Sequence, residues 1–346
     1  MGKLKGVCIG TGYFSHFQYE AWNRIEVVEI VALCGTSLEK AQKICDQYGI
    51  KKAYADLEEM LRNEQPDFID IITPPNTHLP MCQMAIRHSV HIICQKPLAP
   101  TYKEALKIAK LIENSSHRMM VHENFRFQPW HREIKKLLEE EVIGNTIYTI
   151  NLRMRMGDGW QEDAYMNRQP YFREMEQLLI YETGIHFIDV FRYLCGDISS
   201  VNAKLKTLNP NITGEDFAWI NFDFTNGTLG FLDANRYNET NAEDPRLTFG
   251  TVLIDGNKGS IRLNEDGKIT IKKLGETETE HPYHFEKINF AGDCVYATQK
   301  HFVECLLNEI PFETDVSDYL GNIQVQDAIY KSAEIGLAVK VDDTAN

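Results

Sequence analysis

Residues 6–22 read GVCIGTGYFSHFQYEAW, from Gly6 to Trp22. Small apolar residues lead into Gly10, Thr11, Gly12, Tyr13, Phe14 and Ser15, and apolar positions at helical spacing follow. A strand, a glycine turn and a helix in that order are the setting a dinucleotide fingerprint requires. Gly10 permits the tight turn, and Gly12 lets the backbone approach a pyrophosphate. The third position serves helix–strand packing, and here a small Ser15 replaces the usual glycine. The helix start then offers free N–H groups to an anion. By itself G-x-G-x-x-S also fits a plain bend, so the residues around it must decide.

They repeat the same alternation. VEIVALCG is a nearly continuous apolar run, typical of a strand buried on both faces. SLEKAQKICDQYG is helical, with Ser37 as N-cap and Gly49 at its end. FIDIITPP, VHIICQKP and RMMVHENF read as strands, and THLPMCQMAIRHS and TYKEALKIAKLIENSS as helices. Repeated β-α-β units imply a doubly wound parallel Rossmann sheet, with ligands at the carboxyl ends of its strands.

The pattern changes after residue 123. TIYTINLRMRM is a long strand and YETGIHFIDVFRYLCG a helix. Strands joined by turns follow, with signals at Asn226-Gly227, Gly256 to Gly259 and Asp266-Gly267. Residues 1–123 therefore read as a dinucleotide-binding domain. Residues 124–346 read as an α/β substrate-binding and oligomerisation domain built on a large, mostly antiparallel, open-faced sheet.

Bulk properties exclude other classes. The 346 residues exceed what one core usually serves. The net charge of −14 and the lack of Lys/Arg clusters argue against a nucleic-acid partner. No apolar run approaches the roughly 18 residues of a membrane span. The start, MGKLKGVCIG, passes directly into a strand, which argues against a signal peptide. The eight cysteines form no C-x-x-C pair, so no metal site is expected and the protein reads as reduced and cytoplasmic.

The cofactor's ribose end departs from the NAD pattern. About 20 residues past the fingerprint an acidic residue usually holds the 2′-hydroxyl. Here Gly35 follows VALC, then Thr36, Ser37 and, further on, Lys40. No carboxylate repels a 2′-phosphate, yet no arginine forks one, so NAD and NADP both stay open.

Three motifs together resemble the glucose-fructose oxidoreductase, inositol dehydrogenase and rhizopine-catabolism (Gfo/Idh/MocA) family. They are Thr73-Pro74-Pro75-Asn76 with His78, then Gln95-Lys96-Pro97 where the family has Glu-Lys-Pro, and Glu182, Gly184, His186 and Asp189 on one helix. ENFRFQP and the closing DYLGNIQVQDAIYKSAEIGLAVKV also resemble it, so the likeness runs from about residue 4 to 341. Within the family, the stretch from Gly157 to Leu194 is most similar to enzymes that oxidise a branched pentose to its lactone. The resemblance implies an NAD(P)-dependent sugar dehydrogenase, with Lys96 and His186 as the acid–base pair, and a homo-oligomer formed through the second sheet. It also implies cofactor contacts from Thr73, Pro74, Pro75, Asn76, His78, Gln95, Lys96 and Asn124. Where the family usually has Asp, this chain has Glu182.

The chemistry agrees with the residues themselves. Oxidising a carbinol needs a hydride acceptor and a base, and His is the side chain nearest neutrality. Four residues apart on a helix, Glu182 and His186 would share a face. An ammonium at a strand end, as at Lys96, stabilises developing alkoxide charge. Sugars are held by polar forks and aromatic faces, which makes Arg153, Asp158, Trp160, Tyr165 and Arg168 candidates. Asn124 and Arg126 stand at the predicted domain boundary, a favoured pocket location, and Arg236 is a further candidate.

Each has a plainer reading. Lys before Pro is ordinarily a solvated loop residue, His186 and His78 read also as hydrogen-bonded structural histidines, and Asp189 as a local pairing residue. The rival activity is an inositol or other polyol dehydrogenase. The rival of another class is a non-catalytic dinucleotide sensor, against which an intact Lys96 and His186 argue.

Overall fold

The apolar run before the glycine turn forms β1 (Leu4–Ile9), and the helix after it is α1 (Ser15–Arg24). The computed structural model describes residues 2–344. The alternation continues through β2 (Val28–Cys34), α2 (Leu38–Tyr48), β3 (Lys52–Tyr54), α3 (Leu57–Glu64), β4 (Phe68–Ile71), α4 (His78–Arg87), β5 (His91–Gln95), α5 (Tyr102–Glu113) and β6 (Met119–His122). The six strands form one parallel sheet in the order β3-β2-β1-β4-β5-β6. Every residue of β4 and β6 is buried, as strands covered on both faces must be. Local chemistry sets the helix ends: Ser37 Oγ accepts the Lys40 N–H at 3.3 Å, and Gly49 closes α2 at φ 72°.

The chain divides into two compact units, Met1–Asn124 with Val295–Leu320, and Phe125–Cys294 with Gly321–Asn346. The returning segment 295–320 completes the first unit's core. Phe302 packs against Phe68 at 5.3 Å between ring centroids, and Phe68 against Trp22 at 5.0 Å.

The second unit begins with α6 (Pro129–Glu139), β7 (Ile147–Arg155) and α7 (Ile185–Cys195). Strands β8 (Ile198–Lys206), β9 (Phe217–Phe224), β10 (Leu229–Asn235), β11 (Thr251–Gly256), β12 (Gly259–Leu263), β13 (Ile269–Lys273) and β14 (Thr279–His281) follow. Helices α8 (Cys294–Leu307) and α9 (Val316–Ile335) precede β15 (Val339–Lys340). The nine strands form one sheet, β14-β13-β12-β11-β7-β10-β9-β8-β15, in which only the β10–β7 pair is parallel. Asn226-Gly227 makes the β9–β10 turn, with Gly227 at φ 89°.

β9 alternates strictly: Ala218, Ile220, Phe222 and Phe224 are buried, and Trp219, Asn221 and Asp223 face outward. Helix α7 covers the buried side, with Phe191 5.3 Å from Phe222. The other side is open, and Trp219 there is 46 % exposed. Among the described residues, no helix is long and apolar enough to cross a membrane, and no group of three His, Cys, Asp or Glu is placed to hold a metal.

The helix predicted over YETGIHFIDVFRYLCG is not regular. Ile180–Gly184 forms a π turn before α7. The Ile185 N–H reaches the Ile180 carbonyl five residues back, so the segment that carries Glu182 and His186 begins as a wider π turn.

Candidate active site

In the first unit, strand order reverses between β1 and β4, which opens a crevice at their carboxyl ends. Gly10, just past β1, has φ 130°, and a Cβ there would lie 2.2 Å from the Ile72 carbonyl oxygen. Only glycine fits. A Cβ on Gly12 would meet nothing within 4 Å, so the backbone there faces open space. Phe14, at the N-cap of α1, makes no side-chain capping bond. Ser15 turns its hydroxyl back onto the Gly12 carbonyl at 2.7 Å and is fully buried, which explains why a small hydroxyl suffices at the third position. A bare helix start beside an open glycine turn fits the pyrophosphate of a dinucleotide.

At the end of β2, Gly35 is buried while Thr36 and Lys40 are exposed. The Ser37 oxygen serves as the α2 cap. Past β4, Pro75–Thr77 form a 3-10 turn in which the Thr73 and Thr77 hydroxyls meet at 2.7 Å. His78, buried, sets Nε2 2.7 Å from the Thr73 carbonyl and Nδ1 2.9 Å from the Leu98 carbonyl. Both partners favour a charged ring, but burial outweighs them and lowers its pKa. His78 thus staples the turn after β4 to the loop after β5. That loop starts at Lys96, whose backbone N–H donates to Gln95 Oε1 at 2.9 Å. Asn124 is buried, and its Oδ1 accepts no hydrogen bond from the described residues.

In the second unit the His186 imidazole is stacked on Phe125, with centroids 4.0 Å apart and planes 6° from parallel. Arg126, buried beside it in sequence, directs Nε and Nη2 to Asp189 at 2.8 and 2.6 Å, and Asn322 adds a bond of 2.8 Å. Asp189 pairs with residues distant in sequence, and it engages one fork of the Arg126 guanidinium.

A second cluster gathers Asp158, Tyr165, Arg168 and Arg236. Asp158 accepts from Arg236 Nε at 3.2 Å and Nη2, and from Arg168 at 3.3 Å. Arg236 Nη1 donates to the Thr183 hydroxyl, beside Glu182, at 3.2 Å. The Arg236 guanidinium lies 5.2 Å from the Tyr165 ring, and burial pushes the Tyr165 phenol up to about 12. Trp160 is half-exposed and donates to Glu239 at 3.2 Å. Arg153 is not brought here. It lies exposed on the open face of the sheet, 3.7 Å from Asp233.

Sequence reasoning missed Glu215. This buried carboxylate accepts the N–H groups of Leu178 and Ile180 at 3.0 and 2.9 Å and the Tyr330 hydroxyl at 2.7 Å. It therefore caps the helical segment that carries Glu182 and His186. The cap comes from a residue 35 positions further on, so no local S/T/D/N signal marks it.

Residues 4–123 match the oxidoreductase family with an NAD-binding Rossmann fold, and residues 131–262 match the GFO/IDH/MocA C-terminal domain. The chain belongs to the GFO/IDH/MocA family. It is 31% identical to a D-apiose dehydrogenase of Rhizobium rhizogenes, over 99% of this chain and 98% of that one. It is also 31% identical to a D-apiose dehydrogenase of Paraburkholderia graminis, over 98% and 90%. An oxidoreductase from Agrobacterium radiobacter, solved with NAD+, L-tartaric acid and magnesium, superposes with a TM-score of 0.90 at 30% identity, covering 99% of each chain. As a member of the GFO/IDH/MocA family, the protein is an NAD(P)-dependent oxidoreductase with an NAD-binding Rossmann domain.

Proposed function

We propose that the protein is an aldose dehydrogenase that oxidises D-apiose to its lactone. The observation that supports this is the 31% identity to two D-apiose dehydrogenases across nearly the whole chain. The stretch from Gly157 to Leu194, which carries the Asp158–Arg168 and His186 elements, belongs to that likeness.

NAD, when bound, supplies the hydride acceptor. Gly12 and the start of α1 would hold its pyrophosphate, Thr36 and Lys40 would meet its ribose, and the Thr73–His78 turn would border it. As the substrate C–H and O–H become C=O, His186 would take the hydroxyl proton, and bound NAD would supply the acceptor for the hydride. Lys96 stabilises the alkoxide charge that develops on the same oxygen. Glu182 tunes the imidazole, and Asp158, Arg168 and Arg236 order the polar wall that meets the sugar. Residues 1–123 hold the cofactor and residues 124–346 the substrate.

The test is a panel of aldoses and cyclitols with NAD and NADP, followed at the absorbance of the reduced nicotinamide. Turnover of D-apiose above other sugars supports the proposal. Preference for a cyclitol moves the activity to a polyol dehydrogenase. Tight NAD binding with no turnover across the panel makes the protein a sensor.

We also propose a cytoplasmic homo-oligomer formed through the open face of the nine-stranded sheet. Trp219, Phe231 and Leu229 lie together there, with the Trp219 and Phe231 rings 4.6 Å apart and Leu229 53 % exposed. Light scattering on wild type and Trp219→Asp decides it: an unchanged mass for the variant overturns this face as the interface.

A further inference from the structure

Asp70 lies in the middle of β4 with no exposed surface. Its Oδ2 accepts the indole N–H of Trp22 at 2.7 Å. Gln18, also fully buried, donates Nε2 to the same carboxylate at 2.7 Å from Oδ2 and 3.1 Å from Oδ1. The Gln18 Oε1 then accepts from Gln95 Nε2 at 3.1 Å. Gln95 Oε1 in turn accepts the Lys96 backbone N–H. The Gln18 main chain is held separately, its carbonyl accepting from Gln299 at 3.2 Å.

A carboxylate offers only acceptors, so Asp70 decides which end of the Gln18 amide faces it. That choice points the Gln18 oxygen at Gln95. Gln95 must then turn its nitrogen to Gln18 and its oxygen to Lys96. In its ionised form Asp70 sets the direction of the whole chain from the sheet centre.

We propose that Asp70 is a positioning residue for Lys96, acting through Gln18 and Gln95 to hold the Lys96 backbone at the end of β5. The inference rests on the reading of Lys96 as the residue that stabilises the alkoxide. It also accounts for a departure of this sequence. The family has Glu where Gln95 stands, and a carboxylate at 95 would compete with Asp70 for a single amide. In this chain a neutral amide at 95 accepts the Lys96 N–H and donates to Gln18.

The surroundings leave Asp70 with amide and indole donors. Burial raises its pKa to about 7 against the pull of the Trp22 N–H, and the Gln18 amide pulls the same way as Trp22. The titratable groups coupled to it are the Cys8 and Cys94 thiols and the Tyr19 phenol, all pushed upward and neutral.

The chain can be reversed on paper, and that supplies the test. Asp70→Asn keeps the oxygen that accepts Trp22 and the Gln18 nitrogen at 2.7 Å, but sets an N–H against that nitrogen where Oδ1 accepted it at 3.1 Å. Flipping Gln18 and then Gln95 only moves the donor–donor clash to Lys96. Gln95→Glu sets acceptor against acceptor at Gln18. In Asp70→Asn/Gln95→Glu every donor meets an acceptor again, with the direction reversed. With D-apiose and NAD as probes, each single variant should lower turnover about tenfold, the effect of one buried hydrogen bond left unmade. NAD affinity should change far less. The double variant should recover most of the lost turnover.

Hydrogen exchange of the Lys96 amide reads the same chain without substrate. It should speed up in each single variant and slow again in the double. Losses that multiply in the double variant, as unlinked sites do, overturn the proposal. So does Lys96 exchange that is unchanged in both single variants. Normal turnover in Lys96→Ala removes the lysine from the chemistry, and the exchange rates alone then decide the chain.

Discussion

The His186 imidazole lies flat on the Phe125 ring, and the Phe125 carbonyl accepts a hydrogen bond from His131 Nδ1 at 2.8 Å. The ring beneath His186 is thus held from its own backbone, and Phe249 packs 4.8 Å from the same ring. A stacked aromatic fixes the plane of an imidazole through its face. Phe125→Leu leaves a smaller apolar side chain and removes the stack. It should cost about 1 kcal/mol beyond the lost area, measured by urea unfolding. Turnover should fall with little change in cofactor affinity.

Lys96→Ala and His186→Ala test the chemistry directly. Each should lower turnover by about 10² to 10⁴, the usual contribution of an acid–base group. The two losses should not multiply in the double variant, because residues acting as a unit are not additive. Steady-state kinetics, with NAD affinity followed separately by fluorescence, gives the answer. Near-normal turnover in His186→Ala would return it to a structural role on Phe125.

Arg126 and Asp189 form a buried pair, with side chains 7% and 0% exposed. Asp189→Asn leaves the guanidinium uncompensated and should destabilise the protein by about 3–5 kcal/mol in chemical denaturation. Replacing both partners by apolar residues of similar volume should cost less than either single change. A double variant as unstable as the sum of the singles would show that the pair contributes more than mutual compensation.

His131 gives a pH dependence with a definite sign. Burial pushes its pKa down to about 4, against an ordinary value of 6.5. Between these values the unfolded chain binds a proton that the folded protein refuses, so stability rises with pH across this window. His131 should therefore make the protein lose about 3 kcal/mol as pH falls from 6.5 to 4. His131→Asn keeps a donor for the Phe125 carbonyl and removes the titration. Its unfolding free energy should be flatter over that range, and an unchanged slope would assign the acid sensitivity elsewhere.

Gly35 is the residue proposed to face the ribose end of the cofactor. With no carboxylate there, NADP should bind without a penalty of several orders of magnitude. Gly35→Asp should favour NAD by about 1–3 kcal/mol, the scale of a buried charge or hydrogen-bond change. A Cβ at 35 would lie 3.0 Å from the Thr11 methyl, so Thr11 must shift slightly and overall affinity should drop as well. Titrating both cofactors separates the two effects. Strong rejection of NADP by the wild type would overturn this account.

What the chain could announce by itself was whatever depends on neighbours in sequence. The β1–Gly10–Gly12–α1 turn, the Ser37 cap, the Gly49 stop and the Asn226-Gly227 turn were all legible. Each is set by local backbone angles or by a hydrogen bond spanning three residues. The apolar run VEIVALCG marked β2 as an inner strand, and its end Ala32–Cys34 is buried. Short elements such as β3 were not legible, because three residues carry no period. Partner choice was not legible either. Asp158 finds Arg236 at a separation of 78 residues, and Glu215 finds the N–H groups of Leu178 and Ile180. The π turn at Ile180–Gly184 left no mark in the sequence spacing. In such cases a buried charge or an unpaired N–H must be satisfied by whatever the tertiary fold brings near it. That requirement fixes the pairing in space and leaves no periodic trace along the chain.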